Sequence, residues 1–463
     1  MPDFAISRIF SDLLITASYS FDPTEDNAGI WRMRKPFTPK EKRILLSCAE
    51  NIFKPKSLIV PKSFAEIPRD RTLMREIRLE NRKYIYLTDF GLNNFRKLVE
   101  LLVDHDYFDG KVEYSDVWSA WRGVIQDCFS TKVMPDSADE VLGAISGIVS
   151  EKIREYSFIV PIFGVSLEKV DTFKLGSMVV IKSPASVLDS AQIAYDKHPD
   201  PLMLQARPGT LWLHGVATGT EKVARRLFAE EASLVAGTIA IAAAAKYENG
   251  AAGFRIGTGM TREDAPGDAV WMSWGNADSH VTTHFPSARG QRFAVDTEMA
   301  DGSDTMRMIE LAASNLQKSH KTEVEEAIER AIYWFSDAHR DSPLVMRIVK
   351  YWSCVEAFFS LDKKDVTRSV SSGLASILIY GGFRFVHYSE YATLKKKISD
   401  LYNLRSLAVH RADHKHISEK DVSQLSQWVA WMIIEILHLS ASGYATLDQI
   451  KKEVDRLDAI SRT

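Results

Sequence analysis

Apolar residues recur with helical spacing through much of the first 155 residues, and short runs typical of strands lie between them. Pro39 predicts the start of one helix, and Asp136-Ser137-Ala138-Asp139 is a candidate cap for another. Pro55, Pro61 and Pro68 mark an irregular stretch. We expect a mixed, largely helical region over residues 1–155. The predicted helices cover residues 39–52, 92–103, 116–129 and 136–154.

The pattern changes near Phe158, where short runs rich in β-branched residues are bounded by Gly or Pro. Such runs are typical of strands. One long helix is expected among them, over residues 221–246. The sequence therefore predicts an α+β domain over residues 156–300. The predicted strands cover residues 158–164, 177–182, 210–216, 254–256, 270–274, 280–285 and 292–295.

From about Ser303 the predicted elements are almost all helices. Ser418-Glu419-Lys420-Asp421 resembles a capping box with Asp in place of Glu, and Gly381-Gly382 ends one helix. The sequence as a whole predicts an α+β, multidomain chain, in which a mixed α/β amino-terminal region precedes an all-α helical bundle over residues 301–463. The predicted helices cover residues 304–317, 321–339, 342–361, 366–380, 389–409 and 419–442.

Composition limits the possible functions only loosely. A chain of 463 residues is too long for one compact core and is expected to form two or three domains. Hydrophobic residues make up 45% and charged residues 26%, which is ordinary for a soluble globular protein. The net charge of -3 gives no global attraction to nucleic acid. Any contact with RNA must therefore come from a local patch.

The cysteines and the apolar runs indicate the compartment. Cys48, Cys128 and Cys354 lie far apart without CxxC spacing, which argues against a disulfide framework or a zinc-thiolate site and favours a reducing compartment. The amino terminus lacks a basic stretch followed by an apolar run. The longest apolar run, over residues 234–245, is too short to span a membrane. We expect a cytoplasmic protein that does not contact membranes.

One carboxylate lies in the apolar stripe of a predicted helix. Residues at steps of four and three form that stripe: Val345, Val349, Trp352, Glu356 and Phe359. A buried carboxylate without a partner is costly, so we expect Glu356 to find a cation or hydrogen bonds. Arg405 is the leading candidate, because Leu394, Ile398 and Leu401 place it near the stripe of its own helix. A structural ion pair that only pins two helices is the alternative.

An arginine and a histidine follow at a suggestive spacing. Arg405 always carries a charge that can hold a phosphate, and His410 can move a proton near neutral pH. Five helical residues separate their Cα atoms by about 7.5 Å and rotate them by about 140°, so the two side chains do not stack on one face. They can still converge on one phosphate. Arg411 and His416 repeat the spacing in a polar segment, which is expected to be a solvated surface. The charges of this segment could help to bind an RNA backbone.

These residues carry a resemblance. Leu401-Tyr402-x-x-Arg405-Ser406-x-x-Val409-His410, preceded by Trp352-x-x-x-Glu356-Ala357-Phe358-Phe359, resembles the HEPN superfamily, particularly its ApeA-like branch. The spacing falls within the Arg-x4-6-His signature of that superfamily. Arg368, followed by residues 371–378, resembles the Arg-bearing helix between its two motifs. The resemblance covers roughly residues 305–445, about a third of the chain. Ser406 departs from the pattern, because active members often carry Asn, Asp or His there.

The resemblance implies a four- or five-helix bundle that dimerises and cleaves RNA without a metal. The RNA 2′-hydroxyl attacks the neighbouring phosphate and leaves a cyclic phosphate and a 5′-hydroxyl. By matching position, His410 would be the general acid or base, Arg405 would hold the phosphate, and Glu356 would orient Arg405 or tune His410. Further residues are expected to contact the substrate: Tyr402, Ser406, Arg411 and Lys395.

The resemblance also implies a biological setting. Proteins of this branch resemble bacterial antiphage or abortive-infection effectors, in which an upstream domain senses infection or restrains the nuclease. We therefore expect RNA as substrate, a second copy of the chain as partner, and a phage-derived or small-molecule trigger at the amino-terminal region. A catalytically inactive dimerisation or RNA-binding module with the same fold is the alternative.

Other candidate sites are weak. His280 and His284 are four residues apart, but Val281-Thr282-Thr283 favours a strand over the helix that a metal site of this spacing would need. No metal and no cofactor is expected. Lys395-Lys396-Lys397 can meet RNA phosphates near the proposed cleft, although a charge run of this length is usually a solvated helix face.

Overall fold

A computed structural model describes most of the chain. The described residues form two compact units: one holds those up to Gly110 together with Val117–Ile145, and the other holds Lys111–Asp116 and those from Ser146 onward. The described residues are 36–59, 75–79, 84–183, 187, 211–247, 256–258, 271–274, 281–284, 292–298, 304–340, 343–360, 366–381, 387–411 and 416–460.

The first unit combines helices with a small antiparallel sheet. Its helices are α1 (Pro39–Ile52), α2 (Asp89–Asp104), most of α3 (Tyr114–Thr131) and part of α4 (Ala138–Ser150). Its strands are β1 (Leu58–Ile59), β2 (Glu76–Arg78) and β3 (Tyr84–Leu87), in the order β1-β3-β2. Thr38 and Glu41 form a capping box at the start of α1, which satisfies backbone donors that the first turn leaves unpaired.

The second unit contains a five-stranded antiparallel sheet in the order β6-β7-β8-β4-β9. Its two long strands pair from Arg154 opposite Gly219 to Ile162 opposite Leu211. Alternate side chains such as Val160 and Leu213 point into the core. The strands of this sheet are β4 (Arg154–Phe163), β6 (Thr172–Leu175), β7 (Met178–Ile181), β8 (Leu211–Gly219) and β9 (Gly257–Thr258).

Two further strand pairs belong to this unit. A parallel pair joins β5 (Val165–Ser166) to β12 (Phe293–Ala294), and an antiparallel pair joins β10 (Trp271–Trp274) to β11 (Val281–His284). His284 therefore lies in a strand, as its neighbours predicted, and His280 lies outside the described residues.

The centre of the second unit is α5 (Glu221–Lys246), whose Ala-rich second half is almost fully buried. Among the described residues it is the one helix long and apolar enough to cross a membrane by composition, and 78% of its most apolar window is buried inside the protein. This burial is typical of the core helix of a soluble protein. Gly237 lets α5 approach its neighbour closely, since an added Cβ there would lie 2.8 Å from Cβ of Ser336.

The carboxy-terminal part of the chain is helical. Its side chains share one hydrophobic core with the sheet, extending from Val160 in β4 to Val454 in the last helix. Residues from both predicted ranges, 156–300 and 301–463, contribute to this core, and the three-domain division itself stays a prediction. The helices are α6 (Val295–Glu298), α7 (Asp304–Leu316), α8 (Glu323–Arg340), α9 (Leu344–Phe359), α10 (Val366–Tyr380), α11 (Tyr391–Arg411), α12 (Glu419–Ala441) and α13 (Leu447–Ile460).

The chain is thus a mixed α/β protein with a sheet-containing amino-terminal half and a helical carboxy-terminal region, as the sequence predicted at this coarse level. The predicted capping box at the start of α12 is confirmed. The side chain of Ser418 accepts a hydrogen bond from the backbone N–H of Asp421, and the side chain of Asp421 accepts one from the backbone N–H of Ser418. The prediction that α4 runs to Arg154 is wrong. That helix ends at Ser150, and Arg154 already pairs with Gly219 in the sheet.

Candidate active site

Two helices bring the central residues together. On α9 the fully buried side chains include Ile348, Trp352 and Val355, and Glu356 lies at the edge of this buried stripe. On α11 the buried stripe continues to Leu401 and Tyr402, and Arg405 follows one turn later. The helices pack through these stripes, so their polar edge residues meet where the stripes end.

The carboxylate of Glu356 binds both an arginine and a tyrosine. Arg405 Nη2 lies 3.1 Å from Glu356 Oε1 and 3.2 Å from Oε2. The hydroxyl of Tyr402 donates a hydrogen bond of 2.8 Å to Glu356 Oε1. The sequence anticipated the arginine as the partner of this carboxylate. The tyrosine was expected to contact substrate, and in the structure its hydroxyl is already engaged with Glu356.

The ion pair is only partly accessible to solvent. The side chains of Arg405 and Glu356 are 19% and 21% exposed. Arg405 Nε is shielded from solvent and makes no hydrogen bond within the part of the chain that the structure describes. Glu356 therefore binds Nη2 of the guanidinium, and about a fifth of the Arg405 side chain remains exposed to solvent.

Two aromatic rings pack at this cluster. The ring of Trp352 meets the ring of Tyr402 edge-on, with centroids 5.0 Å apart, and the guanidinium of Arg405 lies 5.7 Å from the centre of the Tyr402 ring. Burial raises the pKa of Tyr402 to about 12, and its hydrogen bond to the charged Glu356 acts in the same direction. Tyr402 is therefore a neutral donor at physiological pH.

His410 lies in the last turn of α11, five residues beyond Arg405, and its side chain is exposed. It makes no hydrogen bond or ion pair with any other described residue, Arg405 included. The structure thus holds Arg405 in place through Glu356 and leaves the imidazole of His410 to the solvent. Ser406 is half-buried, and Arg411, the last residue of α11, is exposed.

Lys395 belongs to a different place on the same helix. Its Nζ lies 3.1 Å from Asp458 Oδ1, and the hydroxyl of Tyr391 donates to the same oxygen. Ten helical residues separate Lys395 from Arg405, a rise of about 15 Å. The structure therefore does not bring Lys395 into the Arg405 cluster, although the sequence grouped them as one substrate-binding set.

The sequence prediction missed Asp458 because it missed the helix that carries it. The signal was present: Leu447, Ile450, Val454 and Leu457 recur with helical spacing and are buried. The prediction that the last helix ends near residue 442 is wrong, because α13 follows it. Gly443, with a φ of +97°, ends α12 and turns the chain toward α13.

No group of three or more His, Cys, Asp or Glu side chains in the described ranges has an arrangement that could hold a metal ion. Among the described residues, Glu356, Tyr402 and Arg405 form one cluster, and His410 lies on the same helix outside it.

A scan against protein-family models, a search of curated proteins and a search of solved structures each found no match to this chain.

Proposed function

We propose that this chain is a metal-independent endoribonuclease with a HEPN-like carboxy-terminal bundle. The observation that carries the proposal is the arginine of an Arg-x4-His motif, which a carboxylate from a neighbouring helix holds in place. The histidine of the motif lies in the last turn of the same helix and makes no hydrogen bond or ion pair with any other described residue. A guanidinium held in one orientation is suited to bind a phosphate, and a free imidazole is suited to transfer protons.

In the proposed reaction the RNA 2′-oxygen forms a bond to the neighbouring phosphorus, and the bond from that phosphorus to the 5′-oxygen breaks. The 2′-hydroxyl loses its proton and the departing 5′-oxygen gains one. His410 serves as the general acid or base for one of these transfers. Arg405 stabilises the charge that develops on the phosphate oxygens. The products are a 2′,3′-cyclic phosphate and a 5′-hydroxyl.

Glu356 and Tyr402 act as positioning residues in this proposal. The carboxylate fixes the guanidinium through Nη2, and Tyr402 shares the same carboxylate oxygen. Ser406 and Arg411 lie on the same helix as Arg405 and contact the RNA next to the scissile bond in this proposal. A second subunit, joined through the helical bundle, completes the pocket with its own copies of these residues.

The test compares two histidines in an RNA cleavage assay run in EDTA. His410→Ala is expected to abolish cleavage of single-stranded RNA, and His416→Ala to leave it unchanged. Both side chains are exposed, and each follows an arginine by five residues, so they are matched in residue type and spacing. Neither change is expected to lower the melting temperature. Cleavage that persists at the wild-type rate in His410→Ala refutes the assigned role.

The ends of the products give an independent check. A 2′,3′-cyclic phosphate is expected on the 5′ fragment, because attack by the 2′-hydroxyl closes a ring on the phosphorus that stays with that fragment. Arg405→Lys keeps a positive charge but loses the planar fork, so a strong loss of cleavage is expected there as well.

A catalytically inactive, RNA-binding or dimerisation module is a second candidate, and one observation favours it. Arg405 is engaged by Glu356 and is mostly covered, as a structural ion pair would be. This candidate predicts intact RNA retained in a complex, with no cyclic phosphate formed.

In the cell we propose a cytoplasmic antiphage effector of the abortive-infection type. The amino-terminal region would restrain the nuclease until it senses a phage-derived or small-molecule trigger. Sedimentation of the purified protein tests the proposed homodimer, since a monomer at micromolar concentration contradicts the shared pocket.

A further inference from the structure

A surface cleft lies beside the first half of α11, distinct from the Arg405 cluster. Its volume is about 580 Å³, which is within the range of pockets that bind small molecules and cofactors. Three helices form its walls: the first turn of α10, the first half of α11, and α13 near its end. The polar side chains that line it include Thr367, Arg368, Lys395, Lys396, Asp400 and Asp458.

The charges in this cleft favour an anion. Three cationic side chains and two carboxylates line it. One carboxylate, Asp458, already accepts from Lys395 and from the hydroxyl of Tyr391, and its side chain is only 11% exposed. Asp458 thus holds Lys395 at the wall of the cleft. A divalent cation would meet more positive than negative groups here and is disfavoured.

Lys396 supplies a charge that no described residue neutralises. Its side chain is exposed, and it makes no ion pair or hydrogen bond within the described ranges. Its neighbour Lys397 is equally exposed and equally unpaired there, but it does not line the cleft. The two lysines differ in which direction they face from the helix, and they provide a matched pair for experiment.

A helix start forms another part of the cleft wall. Thr367 and Arg368 are the second and third residues of α10, which begins at Val366. The first turn of a helix carries backbone N–H groups without intrahelical partners and a partial positive charge. Cationic side chains and a helix start that border one cleft are a combination that suits phosphate.

We infer that this cleft binds a backbone phosphate of the RNA substrate, several nucleotides away from the scissile bond. The inference rests on the proposed function and adds a second contact point for the strand. Nine helical residues separate Lys396 from Arg405, a rise of about 13.5 Å and a rotation of about 180°, so the two side chains leave opposite faces of α11. At the rise of about 3.4 Å per nucleotide of a stacked strand, the axial distance alone corresponds to about four nucleotides. A strand must therefore pass around the helix and extend more than about four nucleotides beyond the cleavage site to reach the cleft.

The experiment measures binding of a fluorescent ten-nucleotide 2′-O-methyl RNA by anisotropy, using the full chain. The 2′-O-methyl group prevents attack by the 2′-oxygen, so binding is read without cleavage. Lys396→Glu is expected to weaken binding roughly three- to tenfold at low salt and to reduce the salt slope by about 0.7 or more. Lys397→Glu is expected to retain wild-type affinity within about twofold.

The length of the oligonucleotide separates this site from the Arg405 cluster. A three-nucleotide RNA is too short to reach both, so its affinity at the Arg405 cluster should not depend on Lys396. AMP, tested as a competitor, distinguishes a site for free nucleotides from a site for the strand.

Equal weakening by both glutamate variants overturns the inference, because it would show a general electrostatic effect. No binding of the ten-nucleotide RNA to the wild type, or binding of AMP that depends on Lys396 while RNA binding does not, overturns it as well. The nuclease proposal fails through a different result, unchanged cleavage in His410→Ala, so the two failures can be told apart.

Discussion

The ion pair between Glu356 and Arg405 makes a quantitative prediction about stability. The substitution Glu356→Gln removes the charge of the carboxylate and keeps almost the same shape. Its effect falls on two contacts: the guanidinium at 3.1 Å loses its counter-ion, and the hydroxyl of Tyr402 keeps a neutral amide oxygen as acceptor.

The magnitude follows from the burial of the pair. Removing one partner of a fully buried ion pair costs about 3–5 kcal/mol, and an exposed pair contributes about 0.2–1 kcal/mol. The two side chains are 19% and 21% exposed, nearer to the buried limit. Because the glutamine still accepts the tyrosine hydrogen bond, we expect Glu356→Gln to lower the free energy of unfolding by about 2 kcal/mol.

Urea unfolding followed by circular dichroism measures this loss, provided that the slope with denaturant stays constant. Glu310→Gln is the matched control, because Glu310 is an exposed residue of α7 without an ion pair or hydrogen bond to other described residues. It should change stability by less than about 0.5 kcal/mol.

A double-mutant cycle with Arg405→Gln isolates the pair itself. The two single changes should each be costly, and the double variant should lose much less than their sum, because neither charge is then left alone. Additive effects, or a loss for Glu356→Gln no larger than that of the control, would show that the pair does not form in solution.

Three further predictions concern other parts of the second unit. Folding favours the neutral form of Tyr402, because its pKa is raised to about 12. Its contribution to the free energy of unfolding, about 2–3 kcal/mol, is complete below pH 10 and is lost as the pH rises through about 12. The stability difference between wild type and Tyr402→Phe should therefore shrink over that range of pH. Burial opposes the charge of Asp296, but backbone N–H bonds from residues 168–170 outweigh it and hold its pKa below the ordinary value. Asp296→Asn should therefore cost about 2–4 kcal/mol at pH 7, and this difference should fade as the pH drops below about 4, as acid titration of unfolding would measure. Gly237→Ala should destabilise by about 1–3 kcal/mol, because its Cβ would lie 2.9 Å from the carbonyl oxygen of Ile332, whereas Gly147→Ala meets no atom within 4 Å and should be neutral or slightly stabilising in thermal melts.

Some features of this protein follow from local sequence alone. The bounds of α5 and α10 match their predicted ranges, and the cap of α12 forms where Ser418 and Asp421 predicted it. Helical spacing and capping side chains act within a few residues, so a single sequence carries them in full. Short strands such as β6 were missed, because four residues with alternating polarity become a strand only when a partner strand pairs with them.

The candidate site divides in the same way. A carboxylate in an apolar stripe requires a cation or hydrogen bonds. This requirement, together with the apolar stripe of the helix that carries Arg405, pointed from Glu356 to Arg405 across 49 residues. Tyr402 is hydrogen-bonded to Glu356 and Lys395 to Asp458, and both contacts depend on how the helices cross. Periodicity states which face of a helix is buried, but it does not state which neighbour covers that face or at what angle. Only the tertiary packing decided that His410 is exposed to solvent and that a cleft opens beside Lys396.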